Sequence, residues 1–152
     1  MYDNKDALVC PVCGNKMEKI FLEKQKFHID ICLDGCGGIF LDNQELKKID
    51  QPTEDITPIL AAIKDKKFEK VNEHKTLTCP VCSSIMIKNK SRFSPNTTID
   101  ECYSCGGVFL NNNELFEIRQ GSLNDTKRTA EFEENMTNIL KQFLNETYNE
   151  ED

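Results

Sequence analysis

A small α+β, metal-stabilised fold of two tandem β-hairpin units is what this sequence predicts, and three observations predict it. Eight cysteines fall into four close pairs, the pairs recur along the chain at an offset of 69 residues, and the stretches between them read as short antiparallel strands. Composition agrees: of 152 residues, 38% are apolar and 30% charged, which is lean for one large core. A hairpin unit of about 45 residues is near the size at which a metal or disulfides become necessary.

The repeat is detailed. The offset of 69 carries Cys10, Pro11, Val12 and Cys13 onto Cys79, Pro80, Val81 and Cys82, Met17 onto Met86, and Cys36-Gly37-Gly38 onto Cys105-Gly106-Gly107. It also carries Phe40-Leu41 onto Phe109-Leu110 and Glu45-Leu46 onto Glu114-Leu115, which marks a duplicated supersecondary unit. Cys32 and Cys102 are offset by 70, so the second knuckle is C-x3-C in the first copy and C-x2-C in the second. Cys13 to Cys36 and Cys82 to Cys105 nevertheless both span 23 positions, and Gly35 can relax the wider knuckle.

Taken in order, the first unit covers 8–50, with strands at about 17–22 and 27–31 joined by the polar turn Glu23-Lys24-Gln25-Lys26. A third short strand follows at Ile39-Phe40-Leu41, and Asp42 or Asn43 can then N-cap a short helix through Glu45-Leu46. The segment 51–76 reads as a helical linker, with Thr57 as N-cap, Pro58 at the first position, and Ile59, Leu60, Ile63 and Val71 partly lining one face. The second unit, 77–121, repeats the first, with strands at about 85–90 and 97–101, the turn Ser94-Pro95-Asn96, the strand Val108-Phe109-Leu110, and a cap at Asn111 or Asn112. From 122 to 152 an amphipathic helix is expected over about 125–148, because Phe132, Met136, Ile139, Leu140, Phe143 and Leu144 recur at helical spacing.

Residues 1–8 show no basic start followed by an apolar run, and no segment approaches a membrane span, so a cytoplasmic protein with no membrane contact is expected. Thiols stay reduced there, which makes paired cysteines metal ligands in preference to disulfides. Two C-x2-C-type turns brought together by a hairpin supply four soft ligands at about 2.3 Å, the requirement of a structural zinc site. Cys10, Cys13, Cys32 and Cys36 are the expected ligands of one Zn2+, and Cys79, Cys82, Cys102 and Cys105 those of a second. Pro11 and Pro80 stiffen the knuckles, Gly14 and Gly37 allow positive φ, and Ser83 stands where the first copy has Gly14.

Other residues take plainer roles. The glycine pairs follow a cysteine and have no P-loop pattern, so they are turn residues. His28 and His74 are solvated or packing residues beside shells that four cysteines complete, Asp34 is a turn residue, and Met17 and Met86 fill gaps in the core. The excess of acidic groups in 122–152 reads as a solvated helix face.

The stretches CPVC with ICLDGCGGIFLDNQEL, and CPVC with ECYSCGGVFLNNNEL, resemble the TFIIB-type zinc-ribbon family, described as a transcription factor zinc finger. The resemblance covers about 9–50 and 78–120. Phe40 and Phe109 stand where the family usually has tryptophan, and Asn111 and Asn112 replace its acidic start. What the resemblance implies is zinc binding and a transcription-related role, the latter resting on analogy of fold.

Three functions compete. The first is a non-catalytic module that docks on a protein partner through the ribbon loops and the apolar tail helix, with homodimerisation through that helix as one form. No nucleophile elbow, HExxH or triad is present, and four cysteines close each metal site. The second is nucleic-acid binding by Lys16, Lys19, Lys24, Lys26, Lys88, Lys90 and Arg92, which the net charge of −7 disfavours. The third is rubredoxin-like electron transfer on iron, drawn from CPVCG.

Overall fold

The computed structural model describes residues 7–91, 94 and 96–150, and the side chains of all of these except 123, 125–129 and 145–150. The readings placed on 1–6, Arg92, Pro95 and Asp152 lie outside the described residues. The fold class is the predicted one, two four-cysteine β-hairpin units with helices.

The first hairpin pairs β1 (Glu18–Leu22) with β2 (Phe27–Ile31), and β3 (Ile39–Leu41) adds to it antiparallel. β4 (Ile87–Lys90), β5 (Thr98–Glu101) and β6 (Val108–Leu110) repeat the arrangement. The copies are not beads on a string. They join edge to edge through β3 and β6 into one six-stranded antiparallel sheet of order β1-β2-β3-β6-β5-β4, with Phe40 opposite Phe109. Equivalent strands meeting antiparallel give a pseudo-two-fold relation, and the join removes the exposed edge each copy would have had.

Alternation along the strands divides the core between two faces. One face is aliphatic: Ile29, Ile31, Leu41, Ile99 and Leu110 pack with Ile49, Ile59, Leu115 and Ile118. The other holds Phe40, Phe109, Met17, Met86, Leu8 and Leu77 against the cysteines, which puts the two methionines in the core as expected. On this second face a single cross-strand row runs Lys19, Asp30, Phe40, Phe109, Asp100, Lys88 across all six strands.

The helical parts are distributed differently from the sequence reading. After the first copy there is only a 3-10 turn, Leu46–Lys48, because Pro52 follows within one turn of Ile49 and disfavours helix at the residue before it. The second copy has Arg119-Gln120-Gly121 there, so its short helix runs on into the tail as one helix, α2 (Glu114–Glu150). In the linker only α1 (Thr57–Ile63) is helical, and Val71 instead packs beside the cysteine-side cluster. Thr57 is the first helical residue and not the N-cap: its amide, at 2.9 Å, and its hydroxyl both donate to the Asp55 carboxylate.

α1 lies on β1 and closes the aliphatic face of the first copy with Ile56 and Ile59. Among the described residues no helix lies on β4 as α1 lies on β1, and α2 reaches the second copy's aliphatic face only through Leu115 and Ile118 at its start. There the counterparts of Ile20 and Ile31 are Asn89 and Glu101; the Asn89 amide donates to Glu101 at 3.3 Å and to the Tyr103 hydroxyl at 2.7 Å. The start of α2 is tied to the body by Arg119, which donates to the carbonyls of Ile49 and Glu54 at 2.8 Å and of Pro52 at 3.3 Å.

Candidate metal centres

The structure gathers the eight predicted ligands into two clusters. Cys10, Cys13, Cys32 and Cys36 have all four sulfurs within 4.8 Å of one another, and so do Cys79, Cys82, Cys102 and Cys105. The shortest separations are 3.3 Å for Cys13–Cys32 and Cys82–Cys102, and 3.5–3.6 Å for Cys10–Cys36 and Cys79–Cys105. A tetrahedron of sulfurs about 2.3 Å from a central ion has edges of about 3.8 Å, so both clusters fit such an ion with little movement.

Each knuckle is a tight turn in which backbone amides point at sulfur. The Cys10 amide donates to the Asn15 carbonyl and the Gly14 amide to the Cys10 carbonyl, at 2.8 and 3.0 Å; Cys79 with Ser84, and Ser83 with Cys79, repeat both bonds. The amides of Val12 and Cys13 reach the Cys10 sulfur, that of Gly38 reaches Cys36, and that of Gly107 reaches Cys105. Such donors favour thiolate. Four thiolates cannot share so small a volume unaided, however. Cys10 is drawn below the ordinary thiol range by its hydrogen bond with Cys36, while Cys36 is pushed up by the same bond, and burial pushes Cys32 and Cys105 up to about 12. Full ionisation of either cluster needs a cation at its centre.

The two centres are not equal. In the first, the Asn15 amide donates to the Cys13 sulfur at 3.2 Å, and a Cβ on Gly35 would overlap that amide and crowd the Cys13 sulfur, so Gly35 lets the wider knuckle approach closely, while Gly14 and Gly37 take the positive φ expected of them. In the second, Cys82 is exposed, and Ser83 holds φ +66° where the first has Gly14 at +80°. A residue with a Cβ in that region carries strain. Neither histidine belongs to a cluster; both are exposed, and the His28 ring lies 4.8 Å from that of Phe21.

Sequence reasoning missed the polar pairs behind the sheet join. Lys19 bonds buried Asp30 at 3.0 Å, and Lys88 bonds buried Asp100 at 2.7 Å. Burial raises both carboxyls, and the lysines oppose the shift. The signal was available, since Lys19/Lys88 repeat at 69 and Asp30/Asp100 at 70, in step with the cysteines beside them. Both lysines are among the basic residues weighed for nucleic-acid contact, and each is here engaged with a buried carboxylate.

Glu45 and Glu114 fold back so that their carboxylates accept the amides of Asp42, at 2.7 Å, and Asn111. Burial raises each to about 7 from 4.5. A raised folded-state value means the contribution to stability is complete below the unfolded value and is lost as pH climbs through about 7. Glu114→Gln should therefore stabilise the metal-loaded protein at pH 8 by about 1–2 kcal/mol more than at pH 5, read by urea unfolding. An equal effect at both pH values would contradict the shift.

Fold and site together define a duplicated four-cysteine metal ribbon with both copies fused in one sheet. The sequence profile described as "Transcription factor zinc-finger", of the TFIIB-type zinc ribbon, matches residues 9–51 and 78–120. That is more than half of the chain, and the chain belongs to this family. No curated protein and no solved structure matches it.

Proposed function

We propose that this protein is a non-catalytic, zinc-stabilised interaction module. In this reading one Zn2+ in each cluster sets the two ribbons as a rigid platform, and α2 presents an apolar stripe to a protein partner. The observation that carries it is the exposure of Phe132, Met136, Ile139, Leu140, Phe143 and Leu144 on the part of α2 beyond the body. Four cysteine ligands leave a zinc no open position for substrate, which argues against hydrolytic chemistry. The family's description is the ground for placing the partner in transcription, and cysteines gathered as two metal-ligand sets suit a compartment that keeps thiols reduced, the cytoplasm. No helix among the described residues is long and apolar enough to cross a membrane.

Metal analysis with an absorption spectrum tests the first half: two colourless zinc ions per chain are expected, and a coloured ferric thiolate centre would replace this reading with electron transfer. Affinity capture with the intact chain and with Phe132→Gln/Leu140→Gln tests the second. Protein recovered by the intact chain and lost by the variant is expected; recovery of nucleic acid alone would overturn the proposal.

A further inference from the structure

The two metal centres differ in what lies over them. The linker after α1 crosses both knuckles of the first. There the Phe68 ring packs on Gly37, the Glu69 amide donates to the Gly35 carbonyl at 3.0 Å, and the Lys75 ammonium donates to the Val12 carbonyl at 3.2 Å. Cys10, Cys32 and Cys36 are buried at that centre, and Cys13 is half-buried. The second centre has no equivalent strap, because the chain after its ribbon continues as α2. Asn43 approaches Gly106 on one side, but among the described residues no hydrogen bond from outside the centre reaches the turn from Pro80 to Ser84. Cys82 lies in that turn and is exposed.

Behind Cys82 stands a second sulfur. That of Cys102, which is buried, lies 3.3 Å away. An exposed thiolate in contact with another is an oxidisable pair: the outer sulfur meets the oxidant, and the inner one resolves the product. The first centre has a matching pair, Cys13 and Cys32, also at 3.3 Å. Sulfur spacing therefore does not separate the centres, and access does.

We propose that the second centre is a hydroperoxide-responsive site, in which Cys82 is oxidised first and Cys102 closes a disulfide on it while the first centre persists. The Cys82 thiolate attacks one peroxide oxygen; an S–O bond forms, the O–O bond breaks, and the departing oxyanion takes a proton from water. The Cys102 thiolate then attacks the Cys82 sulfur, so that the S–S bond forms and hydroxide leaves. Two thiolates have lost two electrons, and the peroxide has become an alcohol and water. Only Cys79 and Cys105 remain at the centre, too few to hold a structural ion. This rests on reading both clusters as zinc centres.

The test treats the full zinc-loaded chain with a small excess of hydrogen peroxide. One zinc ion per chain should be released about tenfold faster than the other, read by a metallochromic indicator. Peptide mapping should place the disulfide at Cys82–Cys102 with Cys10, Cys13, Cys32 and Cys36 still reduced, and dithiothreitol with zinc should reverse it. Phe68→Ala/Lys75→Ala, which removes two of the strap's three holds, should quicken oxidation of the first centre severalfold and leave the second unchanged. Metal content and sheet circular dichroism before oxidation are the folding control, and Lys75→Ala alone, at an exposed side chain, should shift the first centre in the same direction. Equal oxidation of both centres overturns the proposal. So does first attack at Cys13, a bridge between other cysteines, Cys82 carried to sulfinic acid beside reduced Cys102, or a first centre indifferent to loss of the strap. The zinc reading stands or falls on the metal count before oxidation and the proposed site on the thiols mapped after it, so the two failures are distinct.

Discussion

Chelation of the metal-loaded chain at neutral pH should strip the sheet of its circular dichroism signal, and the two ions should leave at unequal rates, the second centre first. A structural zinc contributes on the order of 10 kcal/mol per site, against a total of about 5–15 kcal/mol for an ordinary domain, so the hairpins have no folded state to fall back on. The inequality follows from two local differences. Cys82 is open to water and to chelator, whereas three of the first centre's four ligands are buried. Ser83 also holds a left-handed conformation that Gly14 adopts without cost. A metallochromic indicator should show two phases of equal amplitude, the faster about tenfold quicker, a ratio that corresponds to about 1.4 kcal/mol in barrier. Ser83→Gly, which relieves about 1 kcal/mol of strain, should slow the fast phase roughly fivefold and leave the other unchanged. A single phase in the wild type, or a fast phase indifferent to Ser83→Gly, contradicts the account.

Gly107→Ala should cripple both ribbons although it alters one. A Cβ on Gly107 would overlap the Phe40 ring tip, and one on Gly38 would overlap that of Phe109. Each phenylalanine thus lies on the glycine of the opposite copy, at the centre of the row that crosses the sheet. The added methyl has no free volume to enter, and a loss of about 2–3 kcal/mol is expected by the overpacking rule. The distinguishing readout is metal retention: the first centre, more than a sheet strand away in sequence, should release its ion faster too, because the join at β3 and β6 is what both units share. Pairing Gly107→Ala with Phe40→Leu should recover part of the loss by shortening the ring. If the first centre keeps its ion unchanged, the copies are independent and the shared row has no energetic weight.

Much of the site was readable from the sequence because knuckle geometry is local. Cys10 and Cys13 are placed by a turn that closes on itself within six residues, and the same bonds recur at Cys79 and Cys82. The hairpin β1–β2 is local too, with its strand ends falling within a residue of the periodicity. Helix extent was less readable. The repeat invites equal helices after both copies, yet Pro52 ends one in a single 3-10 turn while Arg119-Gln120-Gly121 lets the other run to Glu150. Helix-face counting over the linker took in Val71, whose burial comes from the cysteine-side cluster and not from α1.

By itself the sequence determined the two four-sulfur clusters, the hairpins that carry them and the duplication that relates them, since each depends on residues close in the chain. Only the tertiary structure decided that the copies share one sheet. That outcome depends on β3 meeting β6, and on Lys19–Asp30 and Lys88–Asp100 flanking the paired phenylalanines. The contacts of that join span residues roughly a repeat apart, and no local spacing records which strand edge meets which. The physical reason is that an unpaired strand edge and a half-covered aromatic ring can be satisfied by any suitable surface, and three-dimensional closure alone selects the other copy.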